Sequence, residues 1–393
     1  MTTATAAWAD LSPDSDFGGG DGFVTADFSI ADDGLAVATS DTRIYAVQEE
    51  GNDVVRVLAY TLGGDLDTTY GGGDGIAPVT LLTVGDIELL PSGKILLAGQ
   101  RTSNTPGRVI RLTADGAPDT TFSGDGVISL PYEMQGLAID SQGRIVAGGS
   151  LVRASSPGYR KSDFAVARIR SNGTLDPNFS GDGKATVSSG LVDNVSDVAV
   201  DSADRPIVVG TTSDGVYSML WSGLIARFKA GGAIDTAFSG DGLATANLSK
   251  GQNTANAVGV GANDRVVVAM SNQEKFGGVR FLANGSLDSN YSADGKVSAA
   301  HGGSVYGAAV IAGAIYVTGA SGAGFDQVLV GGVTTSGELN GAFGAGGKNS
   351  YNFSADEDFG EAVTLDGAGR VVVVGLTANG VNNNLLVARL LLP

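Results

Sequence analysis

Apolar residues alternate with polar or small residues in short runs along the chain, and turn-forming residues separate the runs. Clear examples are GLAID at 136–140, IVAGG at 145–149 and FAVARI at 164–169, with SQGR at 141–144 between the first two. A period of two residues places alternate side chains on opposite faces of a strand. Gly, Asp and Asn between the runs favour tight turns. The pattern predicts β-strands throughout and no amphipathic helix of useful length.

A second pattern is a repeated turn motif, in which D-x-x-F or D-x-x-Y is followed by Asp-Gly. Its copies begin at Asp14, Asp67, Asp119, Asp176, Asp235 and Asp288, with a degenerate copy at Asn340. The aromatic residues of successive copies are 52 to 59 residues apart. A regular spacing of this length indicates a repeat fold. Each interval also holds three alternating runs before the motif and one after it, which gives four strands per unit.

Seven units of four short strands predict an all-β fold, a seven-bladed β-propeller of four-stranded antiparallel blades. The two ends of the chain complement each other. The chain begins with one strand that follows a motif, and it ends with three strands at 361–366, 370–376 and 385–392. We predict that the last blade is closed by the N-terminal outer strand, with residues 14–30 paired on 385–392. Such closure removes an open sheet edge.

The repeat leaves no linker, so residues 1–393 are predicted to form a single β-propeller domain. The predicted blades are approximately 35–83, 84–131, 135–188, 195–248, 255–300, 305–353, and 360–393 plus 1–30.

Several runs resemble one known family of repeats. They are SGKILLAG at 92–99, QGRIVAGG at 142–149, AGRVVVVG at 368–375, the V-A-R strands and the LDPNF step from Leu175. These runs resemble the delta-60 repeat β-propellers of bacterial proteins, which are often secreted or multidomain. The resemblance covers essentially the full length and is weakest in the first and sixth units. It implies a fold and no reaction, because the family has no established activity.

The composition of the chain limits the kinds of partner that it can bind. The chain has 42 acidic against 24 basic residues, a formal net charge of −18, 61 glycines and no cysteine. Excess acid repels phosphate groups, so we expect neither nucleic acid nor an anionic membrane as a partner. No run approaches the roughly 20 apolar residues of a membrane-spanning helix. We expect an extracellular or cell-surface protein, although residues 1–13 do not have the pattern of a signal peptide.

Propeller geometry divides the loops between two faces. If the strand after each inter-unit connection is innermost, the first hairpin turn and the D-x-x-F motif lie on one face. That face is nearly identical in every unit, and we call it the repeated face. The inter-unit connections and the loops after each second strand lie on the other face, which we call the variable face. Because loops held by a rigid scaffold often carry function, recognition is predicted there.

Two loops of the variable face in neighbouring units contain unusual side chains. Residues 150–163 include Arg153, Tyr159 and Arg160, and residues 211–223 include Tyr217 and Trp221. Aromatic rings beside guanidinium groups suit a sugar, an anionic polymer or a protein contact. These five residues are the predicted ligand-binding residues. The alternative is that Trp221 covers a blade edge and the arginines are only solvated.

The repeated carboxylates raise the question of calcium. The candidate ligands are Asp119, Asp125, Asp176, Asp182, Asp235 and Asp241. Oxygen-rich glycine loops have the composition of calcium sites. However, the two aspartates are seven residues apart in the first two copies and six apart in the next three. We therefore expect the first Asp to bond nearby amides in a turn and the aromatic ring to pack between blades. No cofactor is expected, and calcium is the alternative.

Catalytic residues are sparse. His301 is the only histidine, and it lies in SAAHGGSVYG on the variable face, where we expect an ordinary surface residue. The acidic run from Asp356 to Asp358 is interpreted as a solvated loop. The leading hypothesis is a non-enzymatic extracellular binding or structural scaffold whose partner is a protein or a polysaccharide. The alternatives are a carbohydrate-binding module near Tyr217 and Trp221, and a hydrolase or lyase that uses carboxylates or His301 at the channel mouth.

Overall fold

The computed structural model describes residues 11–28, 31–50, 54–81, 83–100, 106–156, 159–214, 220–322, 326–378 and 380–393. These residues contain no α-helix. Three short 3₁₀ turns are found at Gly18–Gly20, Ala262–Asp264 and Gly341–Phe343. Within the same residues, no helix is long and apolar enough to cross a lipid bilayer.

The described strands form sets of four in chain order. The N-terminal segment holds β1 (Ser12–Pro13) and β2 (Phe23–Ala26). The first two sets are β3 (Asp32–Thr39), β4 (Arg43–Glu50), β5 (Val54–Thr61) and β6 (Ile76–Val79), then β7 (Thr83–Leu89), β8 (Ile95–Gln100), β9 (Gly107–Leu112) and β10 (Val127–Leu130). The next two are β11 (Glu133–Ile139), β12 (Ile145–Ser156), β13 (Tyr159–Ile169) and β14 (Lys184–Val187), then β15 (Val192–Val200), β16 (Pro206–Ser213), β17 (Trp221–Arg227) and β18 (Leu243–Ala246).

The remaining strands continue the pattern to the C-terminus. They are β19 (Asn253–Gly261), β20 (Arg265–Asn272), β21 (Lys275–Phe281) and β22 (Lys296–Ala300), then β23 (Gly303–Ile311), β24 (Ala314–Ser321), β25 (Gln327–Val333) and β26 (Lys348–Tyr351), and finally β27 (Asp358–Leu365), β28 (Val371–Ala378) and β29 (Asn383–Leu391).

Each set of four pairs antiparallel in chain order. The sets β11–β14 and β15–β18 are joined into one sheet by a single parallel pair, Ser162 with Val192. At the chain ends, β2 pairs antiparallel with β29, from Phe23 opposite Ala388 to Ala26 opposite Leu385. The prediction that an N-terminal outer strand closes the last sheet is therefore confirmed, with this pairing confined to four residues.

The first strands of the sets form a ring. The strands β3, β7, β11, β15, β19, β23 and β27 contact one another in that order, and β27 contacts β3. The chain is therefore an all-β propeller whose ring closes between its C-terminal and N-terminal strands. The first strands surround the axis, and the strands of four or five residues that follow the D-x-x-F motifs lie at the outside.

The hydrophobic core lies between neighbouring sheets. The middle strands are covered on both faces, which explains their nearly continuous apolar runs. At the joint between the ends of the chain, Ile44 and Leu58 pack with Val372, Val387 and the motif aromatic Phe17. Each of the other core clusters likewise combines side chains of two adjacent sheets. The core therefore holds the blades to one another as well as to their own strands.

Candidate functional site

The first aspartate of the repeated motif lies against positively charged side chains in six of its seven copies, all within the described residues. The shortest contacts are Arg43–Asp67 at 2.6 Å, Lys94–Asp119 at 2.8 Å, Arg111–Asp119 at 2.7 Å, Arg168–Asp176 at 2.9 Å, Arg227–Asp235 at 2.9 Å, Arg265–Asp288 at 2.8 Å, Arg280–Asp288 at 2.9 Å and Arg389–Asp14 at 2.7 Å. The seventh copy has Asn340 in place of the aspartate.

Arg168 shows what these contacts do. Its side chain is 3% exposed, and its Nε donates to Asp176 at 2.9 Å. Its Nη1 donates to the carbonyl oxygen of Ala230 in the next blade at 2.5 Å, and its guanidinium lies 4.9 Å from the centre of the Phe179 ring. One side chain therefore joins its own turn, the motif aromatic and the neighbouring blade. We call this arrangement the guanidinium clamp.

The clamp repeats around the ring. The arginines of the other V-A-R-type strands donate in the same way to the next blade, in the pairs Arg111–Ser171, Arg227–Ala283, Arg280–Thr335 and Arg389–Leu62. The motif aromatics Phe17, Tyr70, Phe122, Phe179, Phe238, Tyr291 and Phe343 are fully buried. The repeated face is thus occupied by contacts that hold the blades together.

The carboxylates of the motif are used within these turns. Hydrogen bonds from Thr69 and Arg43 lower the pKa of Asp67 to about 2. Burial opposes ionisation of Asp119, but hydrogen bonds from Lys94, Thr121 and Arg111 still lower its pKa below the usual range. The second aspartates accept the N–H two residues further on, in the pairs Asp125–Val127 at 2.9 Å, Asp182–Lys184 at 3.0 Å and Asp241–Leu243 at 2.9 Å.

The described part of the chain contains no group of three or more histidine or acidic side chains placed to hold a metal ion. Calcium binding by the six candidate aspartates stays the alternative to our expectation of no cofactor, and the chelator measurement below tests it.

His301 is buried, so the expectation of a surface histidine is wrong. It is 2% exposed. Its Nδ1 accepts the N–H of Gly303 at 3.1 Å, and its Nε2 lies 2.9 Å from the carbonyl oxygen of Asn272, to which it donates. Because both ring nitrogens bond backbone groups, the side chain fixes an inter-blade connection to the end of β20. It does not line the central cavity.

The acidic run from Asp356 to Asp358 differs in part from the solvated loop that we expected, because Asp356 and Glu357 are exposed but Asp358 is not. Asp358 is fully buried, and it accepts hydrogen bonds from the backbone of Phe353 at 2.7 Å and from the hydroxyl group of Ser354 at 2.8 Å. Asp193, at another connection, accepts two bonds from Ser189. These carboxylates close the loops that enter the first strands.

The predicted ligand-binding residues are only partly described. The Nε of Arg153 donates to Asp163 at 2.6 Å, although half of the arginine side chain, 52%, is exposed. Trp221 begins β17 and is 36% exposed. Tyr217 and the side chains of Tyr159 and Arg160 lie outside the described part of the structure.

Trp221 is not the only exposed apolar residue in its blade. Leu220 is 68% exposed and Leu191 is 39% exposed. Val192 pairs with Ser213, and Ser213 pairs with Trp221, so all three apolar side chains lie at the same end of one sheet. That end is on the variable face, and we call Leu191, Leu220 and Trp221 the apolar group. Leu191 was not predicted as a contact residue, although an apolar residue directly after the turn residue Gly190 was a visible signal.

A cavity of about 720 Å³ lies among the first strands of all the sets. Each first strand contains a β-bulge, in which one extra residue interrupts the pairing with the second strand. The extra residues are Leu35, Gly85, Gln135, Ser196, Asn256, Tyr306 and Glu361, and every one of them lines the cavity.

Two carboxyl groups lie immediately after bulges, where the other first strands have Ala or Gly. Asp86 accepts the N–H of Ile87 at 2.7 Å and that of Leu137, in the next blade, at 2.7 Å. Asp197 accepts the N–H of Val198 at 2.7 Å and that of Val258, again in the next blade, at 2.8 Å. Each carboxyl therefore links two neighbouring first strands beside the cavity.

Four acidic residues line the cavity, and none of the lining residues is Lys, Arg or His. Burial, followed by repulsion from Asp197, raises the pKa of Glu88 to about 7 and that of Asp86 well above its usual value. Burial also raises the pKa of Asp197. Burial and the nearby Asp33 raise the pKa of Glu361 to about 7. Such groups bind protons near neutral pH.

The residues that line the cavity were not predicted from the sequence. Bulges depend on how a strand pairs with its partner, and a single sequence does not show that register. One signal was available: Asp86, Glu88 and Asp197 interrupt strands whose equivalent positions in other units are small or apolar.

Comparison with solved structures finds distant likenesses. A protein of unknown function from Dyadobacter fermentans aligns with a TM-score of 0.49 at 11% identity, over 94% of this chain and 98% of that chain. The polysaccharide lyase Uly1 aligns at 0.47 and 10%, over 92% of this chain and 90% of that chain. A gluconolactonase from Xanthomonas campestris aligns at 0.42 and 13%, over 93% and 97%. Likenesses this weak say nothing about the chemistry of this chain.

Comparison with curated protein sequences finds no match. A family model described as "Domain of unknown function (DUF5122) beta-propeller" matches residues 90–122 and 141–179. Both segments run from a first hairpin turn to a motif aromatic, and they contain the charged residues of a clamp, with Lys94, Arg111 and Asp119 in one and Arg168 and Asp176 in the other. The match therefore falls on the residues that hold one blade to the next.

Proposed function

We propose that this chain is a non-enzymatic extracellular binding scaffold whose partner, a protein or a polysaccharide, contacts the variable face. The observation that carries the proposal is the apolar group. Leu191, Leu220 and Trp221 are exposed at one end of a single sheet, although packing within the blade does not require apolar residues there. Exposed apolar residues that occur together mark interaction sites more often than isolated ones do.

The contrast between the two faces supports this choice. On the repeated face, the charged and aromatic residues are engaged in clamps, and the motif aromatics are buried. On the variable face, a large aromatic and two leucines remain accessible, and the half-exposed Arg153 lies in the neighbouring blade. Tryptophan and arginine are the residue types that contribute most often to binding hot spots. The net charge of −18 supports an uncharged or cationic partner over nucleic acid.

We also propose that the propeller has seven blades and is related over its full length to the delta-60 repeats. The seven first strands that contact one another in a ring support this count. Reading the eight-stranded sheet as two blades is supported by the single parallel pair that joins its halves.

The test compares variants of the two faces. Fluorescently labelled protein is titrated against protein and polysaccharide fractions of the bacterial surface, with Trp221→Ala, Leu220→Ala and the matched control Leu287→Ala. Leu287 is 41% exposed but lies between β21 and β22 on the repeated face. Removing a hot-spot side chain costs about 1–3 kcal/mol, so we expect binding to weaken about tenfold or more for the first two variants only. If all three variants bind as tightly as the wild type, the contact surface lies elsewhere.

A further inference from the structure

We propose that the central cavity binds a neutral, polyhydroxylated ligand of one or two sugar rings. This site is separate from the apolar group of the variable face, and the two proposals stand or fall independently. A volume of about 720 Å³ lies within the range of small-molecule sites, roughly 300–1,000 Å³.

The lining has the polar groups that such a ligand requires. The bulge positions present two amides, Gln135 and Asn256, a hydroxyl group on Ser196, a phenol on Tyr306 and a carboxyl group on Glu361. Amides and hydroxyls both donate and accept hydrogen bonds, as do the hydroxyl groups of a sugar. Neighbouring bulges carry different side chains, whereas the clamps repeat around the ring. Packing at the bulge therefore does not dictate these residue types.

Part of this polar capacity is unused by the protein. Neither Glu88 nor Glu361 makes a side-chain hydrogen bond with another described residue, although both line the cavity. Leaving a half-buried carboxyl group without a partner is unfavourable, and a ligand hydroxyl group would supply one. Tyr306 is 43% exposed, and its ring contacts the edge of Phe359 with centroids 6.0 Å apart. It offers a positioned aromatic surface together with a hydroxyl group.

Charge selects against anions. Four carboxyl groups line the cavity, and no Lys, Arg or His is among the described lining residues, so at a pH above the raised pKa values a phosphate or a uronate would be repelled and would find no cationic partner. The pKa values of Glu88 and Glu361, raised to about 7 by burial first and by Asp197 and Asp33 second, leave both groups mostly protonated at mildly acidic pH. A protonated carboxyl group donates and accepts, which suits an uncharged hydroxyl group.

The test uses isothermal titration calorimetry on the full chain at about pH 6 and at about pH 8, below and above the raised pKa values. The probes are glucose, galactose, cellobiose and maltose, with glucuronate as the anionic counterpart of glucose. We expect at least one neutral probe to bind at about pH 6, and we expect glucuronate not to bind at about pH 8, where the carboxyl groups are ionised. The proposal is overturned if no neutral probe binds at the lower pH, or if glucuronate binds as tightly as glucose at the higher pH.

Variants then locate the site. Glu361→Ala and Gln135→Ala should each weaken the neutral probe by about tenfold, whereas Glu361→Gln should keep the affinity within about twofold, because an amide replaces a protonated carboxyl as donor and acceptor. Ser196→Trp should block binding by filling the cavity. Leu287→Ala, which lies on the repeated face and outside the cavity, should leave the affinity unchanged. Thermal melts show whether each variant is folded. If Ser196→Trp does not fold, the affinity of Gln135→Ala tests the site instead. Unchanged binding in the folded cavity variants would overturn the proposal.

Discussion

The guanidinium clamp makes a sharp prediction for Arg168→Met. Arg168 and Asp176 are each 3% exposed in their side chains. The substitution keeps most of the apolar stem, but it removes the bonds to Asp176 and to the carbonyl of Ala230, and the contact with Phe179. Breaking a buried ion pair by removing one partner costs about 3–5 kcal/mol. Asp176 keeps Arg170 at 3.3 Å and Arg144 at 3.5 Å, so we expect a loss of about 3 kcal/mol, at the lower end of that range.

Arg170→Met is the matched control, because it removes a second arginine from the same carboxylate. Arg170 is 44% exposed, and exposed ion pairs contribute about 0–1 kcal/mol. The free energy of unfolding, from urea titrations of the wild type and both variants, should therefore fall by several times more for Arg168→Met.

The double variant Arg168→Met with Asp176→Asn tests the cause. Removing both charges leaves no buried carboxylate without its main partner, so the loss should be less than half the loss of Arg168→Met alone. The set β23–β26 is a natural precedent, because Asn340 follows its third strand, and Gly332 and Ala314 lie at the positions of the two cations. If Arg168→Met costs less than about 1 kcal/mol, or no more than Arg170→Met, then the clamp does not stabilise the ring as we reason.

Three further outcomes follow from the structure. Deleting residues 1–26 removes the strand β2 that pairs with β29, and it removes Phe17 from the core, so the protein should be strongly destabilised in thermal melts. A melting temperature equal to that of the full chain would contradict closure of the ring by this strand. In the folded protein the pKa values of Glu88 and Glu361 are about 7, whereas a Glu side chain in the unfolded chain has a pKa of about 4.3. Between these values the folded state binds more protons, so the free energy of unfolding should fall as the pH rises from about 4 to about 7 and should then level off. Glu88→Gln with Glu361→Gln should flatten that decline in melts recorded against pH, and an unchanged profile would contradict the assignment. EDTA should change the melting temperature by less than a few degrees, since the first aspartates already have cationic partners, and a large calcium-dependent rise would instead favour Asp119, Asp176 and Asp235 as ligands.

Much of the fold was predictable because its signals are local and repeated. The period-two runs gave the strands, the spacing of the motif aromatics gave the units, and the complementary ends gave the pairing of Phe23–Ala26 with β29. The clamps were not predicted, although Arg168 lies eight residues before Asp176 and the same spacing recurs in Arg111 and Asp119. The pattern was visible, but the contact depends on the turn that brings the two side chains together.

The candidate sites were less accessible to sequence reasoning. Trp221, which was selected as a contact residue, is exposed. Leu191 is thirty residues away along the chain, and it comes close to Trp221 only because Val192 pairs with Ser213 and Ser213 pairs with Trp221. His301 was taken as a surface residue because a lone histidine carries no sign of burial. Its position is set by Asn272 from another strand.

By itself, the sequence determined the β-strand pattern, the repeat unit and the origin of the closing strand, because each follows from residue type and spacing along the chain. Only the tertiary structure decided which side chains face the axis. The bulges at positions such as Gln135 and Glu361 arise from the register between the paired strands of one hairpin, and the raised pKa values of Asp86 and Glu88 arise from burial together with Asp197 of another blade. Neither the register of a pair nor a distance across the ring can be read from the residues of a single strand.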